Sequence, residues 1–358
     1  MADKKSAKSA VGSAVNKNKV EFDLEKYKQS KNLVTDAMKP ETWLKVSDAF
    51  TEATGLPGIA EGVLTVIRGH SDTGKSALGL EAVIAAQKEG KLPVLMITEM
   101  KFSWKHARMM GLEFEEVADP NTGEVITYKG DFIYADVDKL KTIESIAEFM
   151  ADLIDEQEKG KLPYDLVFLW DSAGDTPCQQ SIDSKSQNNE WAAAAMSRNF
   201  GSYIIPKITS SRKSNRKYTN TFIVVNKIWV DKPASYGALP TIKSKGGNAV
   251  YSGAAIVILF GNVTNSGTSS IKAQKNGRDV EFAKRTKIKI EKCHIEGISS
   301  SAKILVTPHG FIIDDKKYID RYKKEHAHEW VKILGMDDFE LVEEEDKLEN
   351  INDIQGEF

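Results

Sequence analysis

The chain has 358 residues, 41% hydrophobic and 28% charged, with a formal net charge of −3. That balance belongs to a globular protein with a sizeable core, and it excludes disordered and collagen-like chains. No apolar run is long enough to span a bilayer, so no membrane partner is expected. Cys178 and Cys293 are too few and too isolated for a disulfide framework or a zinc site, and free thiols in a cytoplasmic protein are expected.

In chain order, residues 1–20 are lysine-rich without a hydrophobic segment, which predicts a disordered basic arm rather than a secretory signal. Residues 21–55 carry two helical patterns, FDLEKYKQSKNLVTDAM and PETWLKVSDAFTEATG, broken by Pro40 and closed by Gly55. Residues 56–313 then alternate. Apolar runs VLTVIRG, LPVLMITE, DLVFLWD, TFIVVNKIW and AAIVILFG are separated by helix-like stretches, the first being KSALGLEAVIAAQKEG. Continuous Val/Ile/Leu runs suit strands buried on both faces, and helices between them make parallel crossovers. The fold class is therefore α/β with a mainly parallel central sheet.

EFEEVADPNTGEVITYKG reads as a hairpin turning at PNTGE. RTKIKIEK and SAKILVTPHGFII alternate as half-exposed antiparallel strands do. Residues 314–358 read as a helix, YIDRYKKEHAHEWVKILG, followed by an acidic tail expected to be solvated and mobile. His326 and His328, two apart, are expected on different sides of that helix, at the surface.

The stretch from Val66 to Leu78, VIRGHSDTGKSAL, contains G-x-x-x-x-G-K-S between a strand and a helix. Gly69 and Gly74 permit a turn whose amides, with those of His70, Ser71, Asp72 and Thr73, form a concave anion nest. The helix opening at Lys75, Ser76 and Ala77 directs its positive end at the same point. Lys75 is predicted to reach the β- and γ-phosphates, and Ser76 to take a site on Mg²⁺. ATP and Mg²⁺ are the implied ligands. Asp171 ends the run DLVFLWD as a Walker-B carboxylate supporting the metal, and Glu99 ends LPVLMITE as a candidate general base for water.

These residues resemble the RecA-like recombinase family, most closely its phage members of the UvsX type. The resemblance covers roughly residues 45–313 and rests on GLPGIAEGVLTVIRG, ITEMKFSWKHARMMGL, LVFLWDSAGD, VVNKIWV, SKGGNAVYSGAAIVILF and KIKIEKCHIEG. It implies a RecA-like P-loop NTPase core, with residues 21–55 as a small oligomerisation element. It also implies that Glu99 activates water and that Asn226 and Lys227 occupy the nucleotide-sensing pair. Lys227 departs from the Gln or His found there, because an ammonium group accepts no hydrogen bond. Lys292 and His294 match the basic pair that reaches the neighbouring subunit's ATP. His294 is a second departure, since a neutral imidazole carries no fixed charge.

The resemblance further implies two DNA-holding loops, at 173–189 and 229–247. In the second, Lys232, Lys243 and Lys245 are expected to neutralise phosphates while Trp229 and Tyr236 contact bases or sugars, with Gly246, Gly247 and Asn248 closing the loop. The basic stretch from Ser210 to Asn220 offers a further site for duplex. The implied function is an ATP-dependent recombinase that forms a filament on single-stranded DNA and exchanges strands with homologous duplex. Its expected helpers are a single-strand-binding protein and a loader, in the host cytoplasm for a phage-encoded chain. Two alternatives remain. A DnaB-like hexameric helicase shares the fold and the glutamate, against which stands the expectation of no separate large N-terminal domain. A mediator would bind nucleotide without hydrolysing it.

Overall fold

Runs of Val, Ile, Leu and Phe with no polar face become strands that bury both sides, and the computed structural model shows where each one lies. It describes residues 22–31, 33, 36–186, 188–231, 241–244, 248–275, 277–297, 299–329 and 340–343. The chain divides into two units, residues 1–37 and 38–358. In the first, α1 (Leu24–Ser30) starts where the Asp23 carboxylate accepts from the Lys26 amide, and none of its residues is buried.

The second unit begins with β1 (Trp43–Leu44), α2 (Asp48–Thr54), β2 (Ile59–Ala60), β3 (Leu64–Gly69), α3 (Lys75–Lys88) and β4 (Leu92–Ile97). Next come α4 (Trp104–Met110), β5 (Glu115–Ala118), β6 (Val125–Lys129), β7 (Ile133–Asp136), α5 (Ile143–Glu158) and β8 (Leu166–Asp171). Then follow α6 (Gln179–Asp183), α7 (Asn189–Met196), a π-helical segment (Ser197–Ile204), α8 (Ile205–Ser210), β9 (Thr221–Asp231) and β10 (Thr241–Ser244). The chain continues through α9 (Asn248–Gly253), β11 (Ile256–Phe260), β12 (Ser269–Lys275), β13 (Arg278–Cys293), β14 (Ser301–Thr307) and β15 (Gly310–Ile312). It ends with α10 (Lys316–Glu325) and β16 (Glu340–Glu343).

The central sheet runs β15-β14-β13-β11-β3-β9-β8-β4-β7. Its six strands from β11 to β7 are mutually parallel, and β13 joins β11 antiparallel. The expected α/β class with a mainly parallel sheet is what the structure contains. The hairpin predicted at PNTGE is the β5–β6 pair, and the alternating runs are the antiparallel strands β13, β14 and β15.

Alternate residues of the parallel strands face two separate cores. Ile67, Leu95, Leu169 and Val225 pack with α2 and α3, whereas Val66, Met96, Trp170 and Val224 pack with α5 and the π-helical segment. The period-2 alternation of side chains thus makes one continuous apolar run serve both layers. α5 starts with a reciprocal cap between Thr142 and Ser145 and buries Ile143, Ile146, Ala147, Met150 and Ile154 at helical spacing.

Three expectations change. Residues 38–55 belong to the core unit rather than to a separate N-terminal segment, because Leu44 and Phe50 are fully buried. Residues 340–343 of the acidic tail form a strand paired with β12, while the remainder of the tail lies outside the described residues. The predicted C-terminal helix is interrupted, since α10 ends at Glu325 with His326 as its cap, residues 327–329 are again helical, and its remainder lies outside the described residues.

Glu81 explains why both flanks close on α3. Its half-buried carboxylate accepts the Ser47 amide at 3.1 Å and the Phe311 amide at 2.9 Å. Burial pushes its pKa above the ordinary range, and the amide donors act against that shift. The parallel strands also end beside a buried aromatic pair, with Phe260 and Phe311 centroids 5.8 Å apart. Replacing the fully buried Phe260 by Ala should lower stability by about 3–5 kcal/mol in urea unfolding, the usual cost of emptying such a site.

Candidate active site

Parallel pairing brings the carboxyl ends of four strands together. Gly69 of β3 is in register with Lys227 of β9, Val225 of β9 with Asp171 of β8, and Asp171 with Ile97 of β4, two residues before Glu99. A cleft of ≈ 250 Å³ opens there, lined by residues that include Ser71, Asp72, Lys75, Ser76, Glu99, Asp171 and Lys227.

The loop from Gly69 to Gly74 is held by its own backbone and by close neighbours. A Cβ on Gly69 would stand 2.3 Å from the Phe260 carbonyl oxygen. Gly74 has φ 101°, in the left-handed region that side chains disfavour, and caps α3 without a side-chain hydrogen bond. The first-turn amides of α3 therefore have no side-chain cap, the arrangement that suits an anion. Thr73 Oγ1 donates to the His70 carbonyl at 2.9 Å, and His70 Nε2 lies 3.1 Å from the Val263 carbonyl. The Lys75 ammonium donates to the same His70 carbonyl. Ala77 follows as a buried residue of α3.

Two charges here are strongly perturbed. Burial lowers the Lys75 pKa to about 8, against the opposing pull of Asp171 and Glu99. Burial raises the Asp171 pKa to about 6; a hydrogen bond with Ser76 and the charges of Lys75 and Lys227 act the other way, and Glu99 adds to the rise. The Ser76–Asp171 contact joins the two side chains expected to hold Mg²⁺. A hydroxyl and a carboxylate beside an anion nest fit that hard cation's preference for oxygen.

Glu99 is fixed by two neighbours. Ser172 Oγ donates to Glu99 Oε1, Lys227 Nζ lies 3.1 Å from the same oxygen, and Lys227 Nζ also reaches Asp175 Oδ2 at 2.7 Å. Ser172 Oγ is 3.2 Å from Asp175 Oδ2, which closes the network. Sequence reasoning missed Asp175, although DSAGD places a second acid one turn after Asp171. It also missed Phe102, Ser103 and His106, which line the cleft. Their segment is anchored by Trp104, whose ring stacks on Tyr128 at 4.1 Å and meets Phe102 edge-on at 5.1 Å. Burial holds the His106 pKa below the ordinary imidazole range, against its bond to the Pro308 carbonyl.

Asn226 is buried beside Gly174, whose added Cβ would come within 3.2 Å of Asn226 Oδ1. Lys292 and His294 do not join this cleft. Lys292 pairs with Val257, at the opposite end of β11 from Phe260, and its ammonium donates to the Ser252 carbonyl at 2.9 Å. The His294 amide donates to the Ala255 carbonyl at 2.9 Å.

The segment expected as one open loop at 229–247 begins and ends as a two-stranded ribbon. β9 runs past its last contact with β3 at Lys227 and pairs antiparallel with β10, Ile228 against Ser244 through Asp231 against Thr241. Trp229 is exposed on it, and Lys243 lies on β10 opposite Trp229. Lys232, Tyr236, Lys245, Gly246 and Gly247 lie outside the described residues, and Asn248 opens α9. The first expected loop is partly helical, containing α6 and the start of α7. In the basic stretch, Arg216 pairs with Glu158 at 3.1 Å and Arg212 with Glu41 at 3.5 Å, so part of its charge is internally matched.

No family model matches the chain. Among curated proteins, it is 36% identical over 80 residues to Protein RecA of Chlorobaculum parvum, covering 22% of this chain and 23% of that protein. It is 35% identical over 78 residues to Protein RecA of Aquifex aeolicus, covering 21% and 23%. These matches support a RecA-like family. Against Protein RecA of Ureaplasma parvum, identity is 28% over 104 residues, covering 28% of this chain and 31% of that one. The chain thus spans about a quarter of the length of the first two RecA proteins it matches. Among the described residues no helix is long and apolar enough to cross a membrane.

The electrostatics of the cleft can be read directly. Lys75 favours the ionised form of Asp171, so Lys75→Met should move the Asp171 titration from about 6 to a higher pH, followed by carboxyl-carbon NMR of the ligand-free protein. An unmoved or lowered midpoint would show that the two groups do not interact.

Proposed function

We propose that the chain is an ATP-dependent DNA recombinase of the RecA type, closest to the UvsX type, that assembles on single-stranded DNA and pairs it with homologous duplex. One observation carries this reading. The strand bearing Lys227, which grips the candidate base Glu99, continues without a break into the β9–β10 ribbon that flanks the segment proposed to hold DNA.

ATP would lie with its β- and γ-phosphates against the first-turn amides of α3 and the Lys75 ammonium. Ser76 and Asp171 would hold Mg²⁺, which when bound neutralises charge on the phosphate oxygens. Glu99 would take a proton from the attacking water, and the Ser172 and Lys227 contacts hold that carboxylate in place. Lys227 acts here as a positioning residue at the point where β9 leaves the sheet. By resemblance it stands where the family has Gln or His, and its means differs, an ion pair rather than an accepted hydrogen bond.

Lys292 and His294, remote from the cleft on their own chain, are suited to reach a neighbour's nucleotide. α1 exposes Leu24 and Tyr27, next to exposed Phe22 and Leu33, and these apolar side chains suit docking on a second copy. A head-to-tail contact of that kind produces a filament when it does not close. Lysines on and beyond the ribbon would neutralise phosphates without reading base edges, which makes binding independent of sequence.

ATP hydrolysis should require single-stranded DNA. Lys75→Ala should abolish nucleotide binding, and Glu99→Gln should keep binding while lowering kcat by about 10²–10⁴-fold. Joint-molecule formation from a single-stranded circle and a linear duplex tests the central step. Full hydrolysis without DNA, together with closed six-fold rings in electron micrographs, would favour the DnaB-like helicase instead.

Proton linkage gives a separate check by calorimetry in buffers of differing ionisation enthalpy. Phosphates raise the pKa of Lys75 from about 8, so Mg²⁺–nucleotide binding should take up protons near pH 8. A cation lowers that of Asp171 from about 6, so binding near pH 6 should release them.

A further inference from the structure

Outside the nucleotide cleft, one cluster of side chains has the chemistry of a metal site. His309 lies in the turn between β14 and β15, His326 caps α10, and Glu329 lies one turn further along the chain. Histidines were expected to be solvated here, and His328 is, with a side chain 75% exposed. His309 and His326 are instead only about one-fifth exposed and stack with ring centroids 3.8 Å apart.

We propose that His309, His326 and Glu329 bind a divalent first-row transition metal of the Zn²⁺ type. His309 Nε2 lies 3.1 Å and His326 Nδ1 2.9 Å from the same oxygen, Glu329 Oε1. One donor atom from each of the three residues falls within 4.8 Å of the others. Tetrahedral zinc with bonds of about 2.0–2.1 Å spaces its ligand atoms about 3.3 Å apart. The two distances to Glu329 Oε1 therefore need to open by only a few tenths of an ångström, and the three donor atoms already lie within 4.8 Å of one another. Two imidazole nitrogens and one carboxylate oxygen match zinc's preferred donors, and Mg²⁺ or Ca²⁺ prefers oxygen alone.

The surroundings support the same assignment. His309 Nδ1 is 2.7 Å from the Tyr322 hydroxyl, which fixes the ring and leaves Nε2 for the metal. Metal-ligating histidines characteristically use their second nitrogen this way. The Tyr322 ring also packs against His326, with centroids 4.4 Å apart, so one residue orients both imidazoles. His328 Nε2, 3.9 Å from Glu329 Oε1, offers a further donor; otherwise water completes the shell.

The site ties the end of α10 to the β14–β15 turn. The neighbouring residue of that turn, Pro308, accepts the hydrogen bond of His106 in the wall of the nucleotide cleft. A bound ion would thus fix both the border of that wall and the point from which the acidic C-terminal segment departs.

The test is titration of the full-length protein with Zn²⁺, without nucleotide or Mg²⁺, followed by calorimetry and thermal melting. One equivalent should bind and raise the Tm. The doubly substituted His309→Gln/His326→Gln protein should lose that equivalent, and Asp171→Asn, which alters the nucleotide cleft, should keep it. Tyr322→Phe retains the ring and removes only the hydroxyl, and it should weaken binding by about 10–100-fold. Co²⁺ should give visible bands of a tetrahedral nitrogen–oxygen site without thiolate charge transfer, which separates this site from the Cys293 region. If the double variant does not fold, Glu329→Gln and Tyr322→Phe decide. No stoichiometric binding, or undiminished binding in these folded variants, overturns the proposal.

Discussion

A carboxylate taken out of water at the end of a strand buried on both faces must find compensation locally, and the cleft is arranged around that need. Asp171 has the Ser76 hydroxyl as a partner and two ammonium groups, of Lys75 and Lys227, nearby. Neither lysine is placed by its own neighbours alone. Lys75 arrives because Gly74 starts α3 with a left-handed turn, and Lys227 because β9 lies between β3 and β8 in parallel register. Balancing one buried charge therefore involves the phosphate loop and two further strands, and it leaves positive groups where phosphates would arrive.

The same strand serves structure and chemistry through its two-residue period. Phe222 and Val224 of β9 face the α5 layer, and Ile223 and Val225 face α3. Past Val225 the β8 flank ends, and β3 ends opposite Lys227, so Lys227 emerges as a polar residue at the carboxyl edge just after the buried Asn226. Pairing with β10 then extends the strand beyond the sheet and satisfies backbone groups along one of its edges.

Much of this was legible in the sequence because its signals are local. The apolar runs, the glycine-bounded phosphate loop and the acids ending LPVLMITE and DLVFLWD each report their own surroundings, and the fold class followed from their alternation. What escaped depends on contacts distant in sequence. Asp175 matters because Lys227, 52 residues later, lies within 2.7 Å of it. His326 leaves the surface because a turn seventeen residues earlier presents His309 to it. Helical periodicity suggested that residues 21–55 formed one segment, yet burial of Leu44 and Phe50 draws its second half into the core. Composition favoured a loop at 229–247, and backbone pairing overrode it at both ends.

Glu81 sets a condition on how the chain can be shortened. One carboxylate oxygen serves Ser47, ahead of the sheet, and the other serves Phe311, at its far edge, from a helix that also carries Lys75 and Ser76. Trimming from either terminus past these amides would leave an acid stranded in the interior, and desolvation would then work against the nucleotide-facing helix itself. The minimal autonomous fragment is thus wider than the phosphate motif and its sheet, and must reach from at least Ser47 to Phe311.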